Sequence, residues 1–212
     1  MRIVKEAKER RKEILDVAER LFCTRGYDNT STNDILAEIG IARGTLYYHF
    51  QSKEEILDAI IDRIIDDIIW KTSRIAMDES VPVLERLTKT VLAANVDTDT
   101  GNMILEQVHK PQNALLHQKM QEKLLNSLKP YFIKIIKDGI NQGIMRTDYP
   151  EETIEMTLLY SNSVFDDAID YTEEEKQKKV LGFIYNVETM LHMENGSLLK
   201  TMMPMFYRDT VK

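Results

Sequence analysis

Residues 31–53 constrain this chain more than any other stretch: Ser-Thr-Asn-Asp-Ile-Leu-Ala-Glu-Ile-Gly-Ile-Ala-Arg-Gly-Thr-Leu-Tyr-Tyr-His-Phe-Gln-Ser-Lys. Ser31 or Thr32 supplies a helix N-cap, and Asp34 suits the positive end of that helix's dipole. The spacing predicts a first helix to Ile39, a sharp turn at Gly40, and a second short helix through Arg43, Thr45, Tyr47, Tyr48 and His49. Ile35, Ile39, Ile41, Leu46 and Phe50 are the apolar positions that hold both helices against a preceding one. Two short helices joined by a glycine turn are a helix-turn-helix, expected at about residues 31–50.

The outward residues carry the chemistry. Gly44 removes a side chain and lets the backbone approach a groove closely. Thr45 offers a hydroxyl and a methyl, suited to a phosphate or a thymine methyl. Arg43 can fork onto a guanine or hold a phosphate. Tyr47, Tyr48 and His49 can donate to phosphate oxygens, although either tyrosine can also pack one face and still present its hydroxyl. Phe50 is a core residue. Ser52-Lys53-Glu54-Glu55 reads as a capping box that starts the next helix, with Lys53 in its first turn beside the same phosphate track. Small polar, aromatic and basic groups on two turns of helix match a DNA backbone and base edges.

The region resembles the N-terminal domain of the TetR family of transcriptional regulators. The resemblance covers Ile14 to Leu57. It is carried by Ile14-Leu15-Asp16-Val17-Ala18-Glu19-Arg20-Leu21-Phe22, Arg25-Gly26-Tyr27, the run Gly44-Thr45-Leu46-Tyr47-Tyr48-His49-Phe50 and Ser52-Lys53-Glu54-Glu55-Ile56-Leu57. It implies an all-helical homodimer that binds a palindromic operator, with a C-terminal domain that senses a small molecule. By position it implies DNA contacts at Thr32, Arg43, Gly44, Thr45, Tyr47, Tyr48, His49 and Lys53. Ala42 departs from the pattern, which often has a hydroxyl there.

The expected fold is all-α, with a three-helix head joined by a long fourth helix to a helical ligand-binding and dimerisation domain. The expected domains are residues 1–53 for DNA binding and 54–212 for regulation. The 212 residues are enough to bury a core without staples. Net charge is −7, but it is unevenly spread. Residues 1–53 hold ten basic and eight acidic residues, net +2; residues 54–212 hold 18 and 27, net −9. An acidic remainder suits a DNA reader only if held away from the duplex. The basic run Arg2, Lys5, Lys8, Arg10, Arg11 and Lys12 reads equally as a solvated helix start and as a contact with flanking backbone. The single cysteine, Cys23, is expected to be semi-buried and structural. No signal peptide and no membrane-length apolar run are visible, so a cytoplasmic protein is expected, and so Lys/Ile/Asn/Glu-rich a chain suits an AT-rich bacterial genome.

Periodicity is helical nearly throughout. The fourth helix, from Ser52, carries Ile56, Leu57, Ile60, Ile61, Ile64, Ile65, Ile68 and Ile69, a stripe of about five turns. A fifth helix is expected from Pro82 to about Ala94, a loop at 97–101, and a short helix from Asn102 to about Val108. A long helix is expected from near Gln112 to Gly139 or Gly143, with a kink or break before Pro130. Two more are expected: one from Pro150 to about Asp170, and one from the capping box Thr172–Glu175 to Gly196. A short Met-rich helix closes the chain.

Val180, Ile184, Val187 and Leu191 have near-heptad spacing and are the candidate dimer interface, in a four-helix bundle; the same face could equally pack inside one subunit. The resemblance implies an effector cavity among the middle helices. Candidate lining residues are Trp70, Met103, Gln107, His109, His117, Met120, Tyr160 and Phe165, which suit a small apolar or amphipathic effector. Glu106 and His109 could share a helix face, but Pro111 breaks the register before His117 and no Cys/His cluster accompanies them. No metal or other cofactor is therefore expected. Asp166, Asp167 and Asp170 read as a solvated face. No phosphate loop, nucleophile elbow or catalytic carboxylate pair appears, so no enzyme is expected. The most economical reading is a ligand-released repressor. Its rivals are the same head with a protein-binding C-terminal domain, or a helical enzyme on a borrowed fold.

Overall fold

The computed structural model describes residues 7–94, 109–110, 114–165 and 171–206. Met103, Gln107, the short helix expected at 102–108 and the acidic residues Asp166, Asp167 and Asp170 lie outside them. Among the described residues the chain is helical without strands: α1 (Ala7–Arg25), α2 (Thr32–Ile39), α3 (Arg43–His49), α4 (Lys53–Ala76), α5 (Val83–Ala94), α6 (Ala114–Asn141), α7 (Pro150–Val164), α8 (Glu173–Met190) and α9 (Ser197–Phe206). They form two compact units. Among the described residues, the first comprises 7–67 with 109–110 and 114–120; the second comprises 68–94 with 121–165 and 171–206.

The first unit is built on α1, whose Ile14, Leu15, Ala18, Leu21 and Phe22 are buried on one face. Against them pack Tyr27, Ile35, Leu46 and Phe50, and from α4 Ile56, Leu57, Ile60, Ile61 and Ile65, all buried. Phe22 and Tyr27 meet edge to face with centroids 5.1 Å apart. Gly26 ends α1 at φ +82°, a left-handed conformation costly to a side chain. The turn after it is pinned by buried Thr30, whose hydroxyl donates to the Gly26 carbonyl at 2.9 Å. Ion pairs tie the helices at their rims: Arg20 to Glu38 at 2.6 Å, and Arg63 to Asp16 at 2.5 Å and to Glu19. Cys23, expected to be semi-buried, is exposed.

In the second unit α5 packs on α9, α9 on α8, and α8 on α7. Arg86 of α5 is fully buried, and its Nη2 donates to Asp138 of α6 at 2.7 Å. Lys134 reaches the same carboxylate at 2.6 Å and Glu79 at 2.7 Å. Burial pushes the Asp138 carboxyl up, but the bonds from Lys134 and Arg86 outweigh it and hold it below the usual carboxylate range. A buried guanidinium needs such a partner.

Three expected boundaries differ. α6 continues through Pro130 without a break. Pro130 and Asn126, whose carbonyl the missing N–H would have satisfied, are both exposed, so water can take that bond. α7 ends at Val164, with the Phe165 N–H bonded to the Ser161 carbonyl, short of the expected Asp170. α8 ends at Met190, well before Gly196, because His192 turns to φ +47° and its Nδ1 lies 3.0 Å from the Arg146 carbonyl. Gly196 instead opens α9, and the buried carboxylate of Glu188 accepts from the Gly196 and Leu198 N–H groups at 2.8 Å and from Leu199 at 3.2 Å.

Candidate nucleic-acid interface

Ser31, rather than Thr32, caps α2. Its hydroxyl accepts from the Asp34 N–H at 3.2 Å, and the Asp34 carboxylate accepts from the Ser31 N–H at 2.8 Å. The Ser31 hydroxyl also donates to that carboxylate, at 2.5 Å. These bonds hold the Asp34 carboxyl below its ordinary range. Gly40 closes α2 at φ +74°, its N–H on the Leu36 carbonyl at 2.9 Å. Ala42 occupies the N-cap of α3 without a side-chain bond. α3 is therefore held by its neighbours: Leu46 and Phe50 are 1% exposed and anchor it to the core.

With those two buried, the rest of α3 faces outward. Arg43, Gly44 and Tyr48 are exposed; Thr45, Tyr47 and His49 are half-buried. Thr32, freed from capping, and Arg43 both lie beside the Tyr47 hydroxyl. Together, Arg43 first, they lower the Tyr47 pKa from its ordinary value. The Arg43 guanidinium carbon also lies 5.4 Å from the Tyr47 ring centroid. Thr32, Arg43 and Tyr47 thus form one connected cluster across α2 and α3. Tyr48 is 77% exposed and meets the His49 ring edge to face at 5.0 Å.

Lys53 begins α4, but the expected box there is shared differently. The Glu55 N–H donates to the Ser52 hydroxyl at 3.1 Å, while the Glu55 carboxylate takes the Gln51 N–H at 2.5 Å. The Lys53 ammonium turns inward. It donates to the Tyr27 carbonyl at 2.9 Å and lies 4.0 Å from the Tyr27 ring centroid. Burial, then the adjacent Glu54 carboxylate, raises the Tyr27 pKa. Lys53 therefore ties α4 to the α1–α2 turn with one donor and keeps two. On the other flank of that turn Lys110 pairs with Asp28 at 2.5 Å. Neither Lys110, Arg63 nor Glu188 stood out in the sequence, since their partners lie far along the chain.

The described effector candidates fall in both units. His117 and Met120, half-buried, belong to the first unit, and His117 meets the His109 ring at 4.7 Å. Tyr160 stacks on Phe183 at 5.7 Å and Phe165 meets it edge-on at 5.4 Å. Trp70 is 56% exposed under Arg74, 4.9 Å from its ring. Of the candidate interface residues, Ile184, Val187 and Leu191 are buried within the single chain and Val180 is half-buried. The free face of α8 carries Leu181 and Tyr185, and that of α7 carries Met156, Leu159 and Tyr160. Among the described residues no helix is long and apolar enough to cross a membrane, and no group of His, Cys, Asp and Glu is placed to hold a metal ion.

A short helix fixed by its buried face, with an outward cluster of Arg, Thr, Tyr and His, defines a helix-turn-helix DNA reader. Residues 14–60 match the family model for bacterial regulatory proteins of the tetR family, and residues 96–185 match a tetracyclin repressor-like C-terminal domain. The chain is 30% identical over 145 residues to the transcriptional repressor KstR2 of Rhodococcus jostii, covering 68% of this chain and 71% of that one. It is 29% identical over 181 residues to the transcriptional regulator YfiR of Bacillus subtilis, covering 82% and 87%. Among solved structures, a TetR-family regulator from Pectobacterium atrosepticum shares the fold with TM-score 0.58 at 21% identity, covering 90% of this chain and 96% of that one. The chain belongs to the TetR family and is a DNA-binding transcriptional regulator.

Proposed function

We propose that this protein is a cytoplasmic homodimeric repressor that binds a palindromic operator and is released by a small apolar or amphipathic effector. The observation that carries the DNA contact is the Thr32–Arg43–Tyr47 cluster, a preformed polar group on the outward face of α3. Arg43 reads a base edge. Tyr47, Tyr48 and His49 donate to phosphates, Thr45 adds a hydroxyl, and Gly44 lets the backbone approach. Lys53 acts partly by holding the α1–α2 turn and partly through its remaining donors.

Pairing of two chains doubles the site read and gives half-sites about one helical turn apart. The exposed apolar side chains Met156, Leu159, Leu181 and Tyr185 support a bundle of α7 and α8 from two copies, on a face other than that of the buried Ile184 and Val187. The relative KstR2 is a repressor, which supports repression here. Release would follow from an effector's preference for a conformer that fits the operator less well.

The test is selection of bound sequences from random DNA by the purified protein. Enrichment of a palindrome with half-sites about one turn apart is the expected result. Enrichment of a single unpaired site would remove the dimeric reader, and no enrichment at low salt would remove the DNA contact assigned to α3.

A further inference from the structure

The first two turns of α1 carry a charge pattern that core packing does not require. Lys8, Arg11 and Lys12 are related by three and four residues, so they share one side of the helix, while Glu9 and Glu13 fall on the other. Arg10 is bound to Glu13. Lys8, Arg11 and Lys12 are exposed and make no ion pair among the described residues.

Arg11 stands in line with Leu15, Ala18 and Phe22, the buried stripe of α1. An apolar residue there would simply extend the core. Instead the guanidinium carbon lies 4.7 Å from the ring centroid of Phe50, the residue that closes α3. Its charge reaches His49: burial first, then Arg11 and Arg10, lower the His49 pKa. The dipole at the C-terminal end of α3 and the Phe50 ring account for the placement of Arg11. They do not account for Lys8 and Lys12, which flank it without an ion pair among the described residues. The result is a patch of three cations bordering the DNA-facing helix at its His49 end.

We propose that the start of α1 is a second DNA contact, in which Lys8, Arg11 and Lys12 neutralise backbone phosphates flanking the half-site occupied by α3. The inference rests on the DNA-binding reading of the head and extends the footprint beyond the bases that α3 can reach. Such a contact carries no sequence information. It adds affinity that falls with salt, through release of counterions from each neutralised phosphate.

The experiment uses the full chain and two operator duplexes recovered by the selection above. One ends at the outer base pair of each half-site; the other carries roughly ten further base pairs, about one turn, on each side. The intact protein should bind the longer duplex more tightly. Lys8→Ala/Lys12→Ala, which touches no buried residue, should lose most of that gain. For a dimer it removes up to four phosphate contacts, so the affinity ratio of intact protein to variant should shrink about 100-fold between 50 and 200 mM salt if all four are made. Adding Arg11→Met, which keeps an apolar cover on Phe50, should remove the remainder; if that triple variant melts early, the double variant decides alone. An unchanged flank dependence and salt slope in the double variant would overturn the second contact while leaving α3 as the reader. No binding of either duplex by the intact protein would overturn the DNA-binding reading itself, and this inference with it.

Discussion

Arg43 and Tyr47 are coupled: the guanidinium lies over the phenol ring, with its carbon 5.4 Å from the centroid, and together with Thr32 it lowers the pKa of the phenol. The pair is one helical turn apart, where side chains meet. Arg43 is therefore restrained before DNA arrives, which reduces the rotamer entropy lost when it docks. Tyr47→Phe keeps the ring and removes the hydroxyl. Operator affinity should fall about tenfold, or 1.4 kcal/mol, and discrimination at the base pair under Arg43 should relax. Arg43→Ala should cost about 1–3 kcal/mol at that one pair if its contact is bidentate. Competition titrations against single-base operator variants measure both. Equal losses on every sequence for Arg43→Ala would make it a phosphate contact.

The two glycines of the head separate backbone strain from groove fit. Neither would push a new Cβ against another atom within 4 Å. Gly40 sits at φ +74°, so Gly40→Ala should destabilise the protein by about 1–2 kcal/mol. Gly44 is in an ordinary helical turn, so Gly44→Ala should raise stability by about 0.5–1 kcal/mol while weakening operator binding, because the added methyl stands where the backbone nears the groove. Denaturant titration with a parallel binding isotherm resolves the two effects. Tight binding by Gly44→Ala would remove that close approach.

How far the sequence could be read depended on the range of the interaction. α3 follows the Gly40 turn but is held by the burial of Leu46 and Phe50; α2 and the Thr172–Glu175 box are set by contacts within four residues, and they stand where their capping and turn residues put them. So does α5, which begins after Pro82. The choice of Ser31 over Thr32 as the cap was not legible, since both are good caps and only the bonds shared with Asp34 separate them. Lys53 looked like a free cation because its acceptor, the Tyr27 carbonyl, is 26 residues earlier. The inward and outward faces of α8 were both apolar enough to read as an interface. Only the packing of the second unit shows that Ile184 and Val187 are inside and Leu181 and Tyr185 outside. Arg86, a charged residue at the centre of that unit, has no local signature at all; Asp138, its partner, is on another helix.

That distinction between faces is testable. Tyr185→Asp or Leu159→Asp places a charge on an exposed position and should leave each chain folded but monomeric, with operator affinity lost along with the dimer. Ile184→Ala opens a cavity inside the chain and should cost about 2–5 kcal/mol of stability. Sedimentation and thermal melting distinguish the outcomes. A dimer that survives both aspartates would move the interface off α7 and α8.

His49 gives binding and stability opposite responses to acid. Burial, then Arg11 and Arg10, hold its imidazole below the ordinary value of 6.5 in the free protein. The unfolded chain therefore takes up a proton before the folded one, and His49 contributes stability above about pH 6.5 that is lost as pH falls through the folded pKa. A phosphate beside the ring does the reverse: it favours the imidazolium and raises the pKa in the complex. Between the free and bound values, DNA binding takes up a proton, so operator affinity should rise as pH falls through this window while the free protein loses stability. Tyr48 meets the ring edge to face, and burial with the two arginines disfavours its proton, an effect that an approaching anion opposes. Binding isotherms between about pH 5.5 and 7.5, compared with His49→Gln, isolate the effect. The variant should bind with a flat profile. An intact protein whose affinity does not change across this range would mean that His49 meets no phosphate.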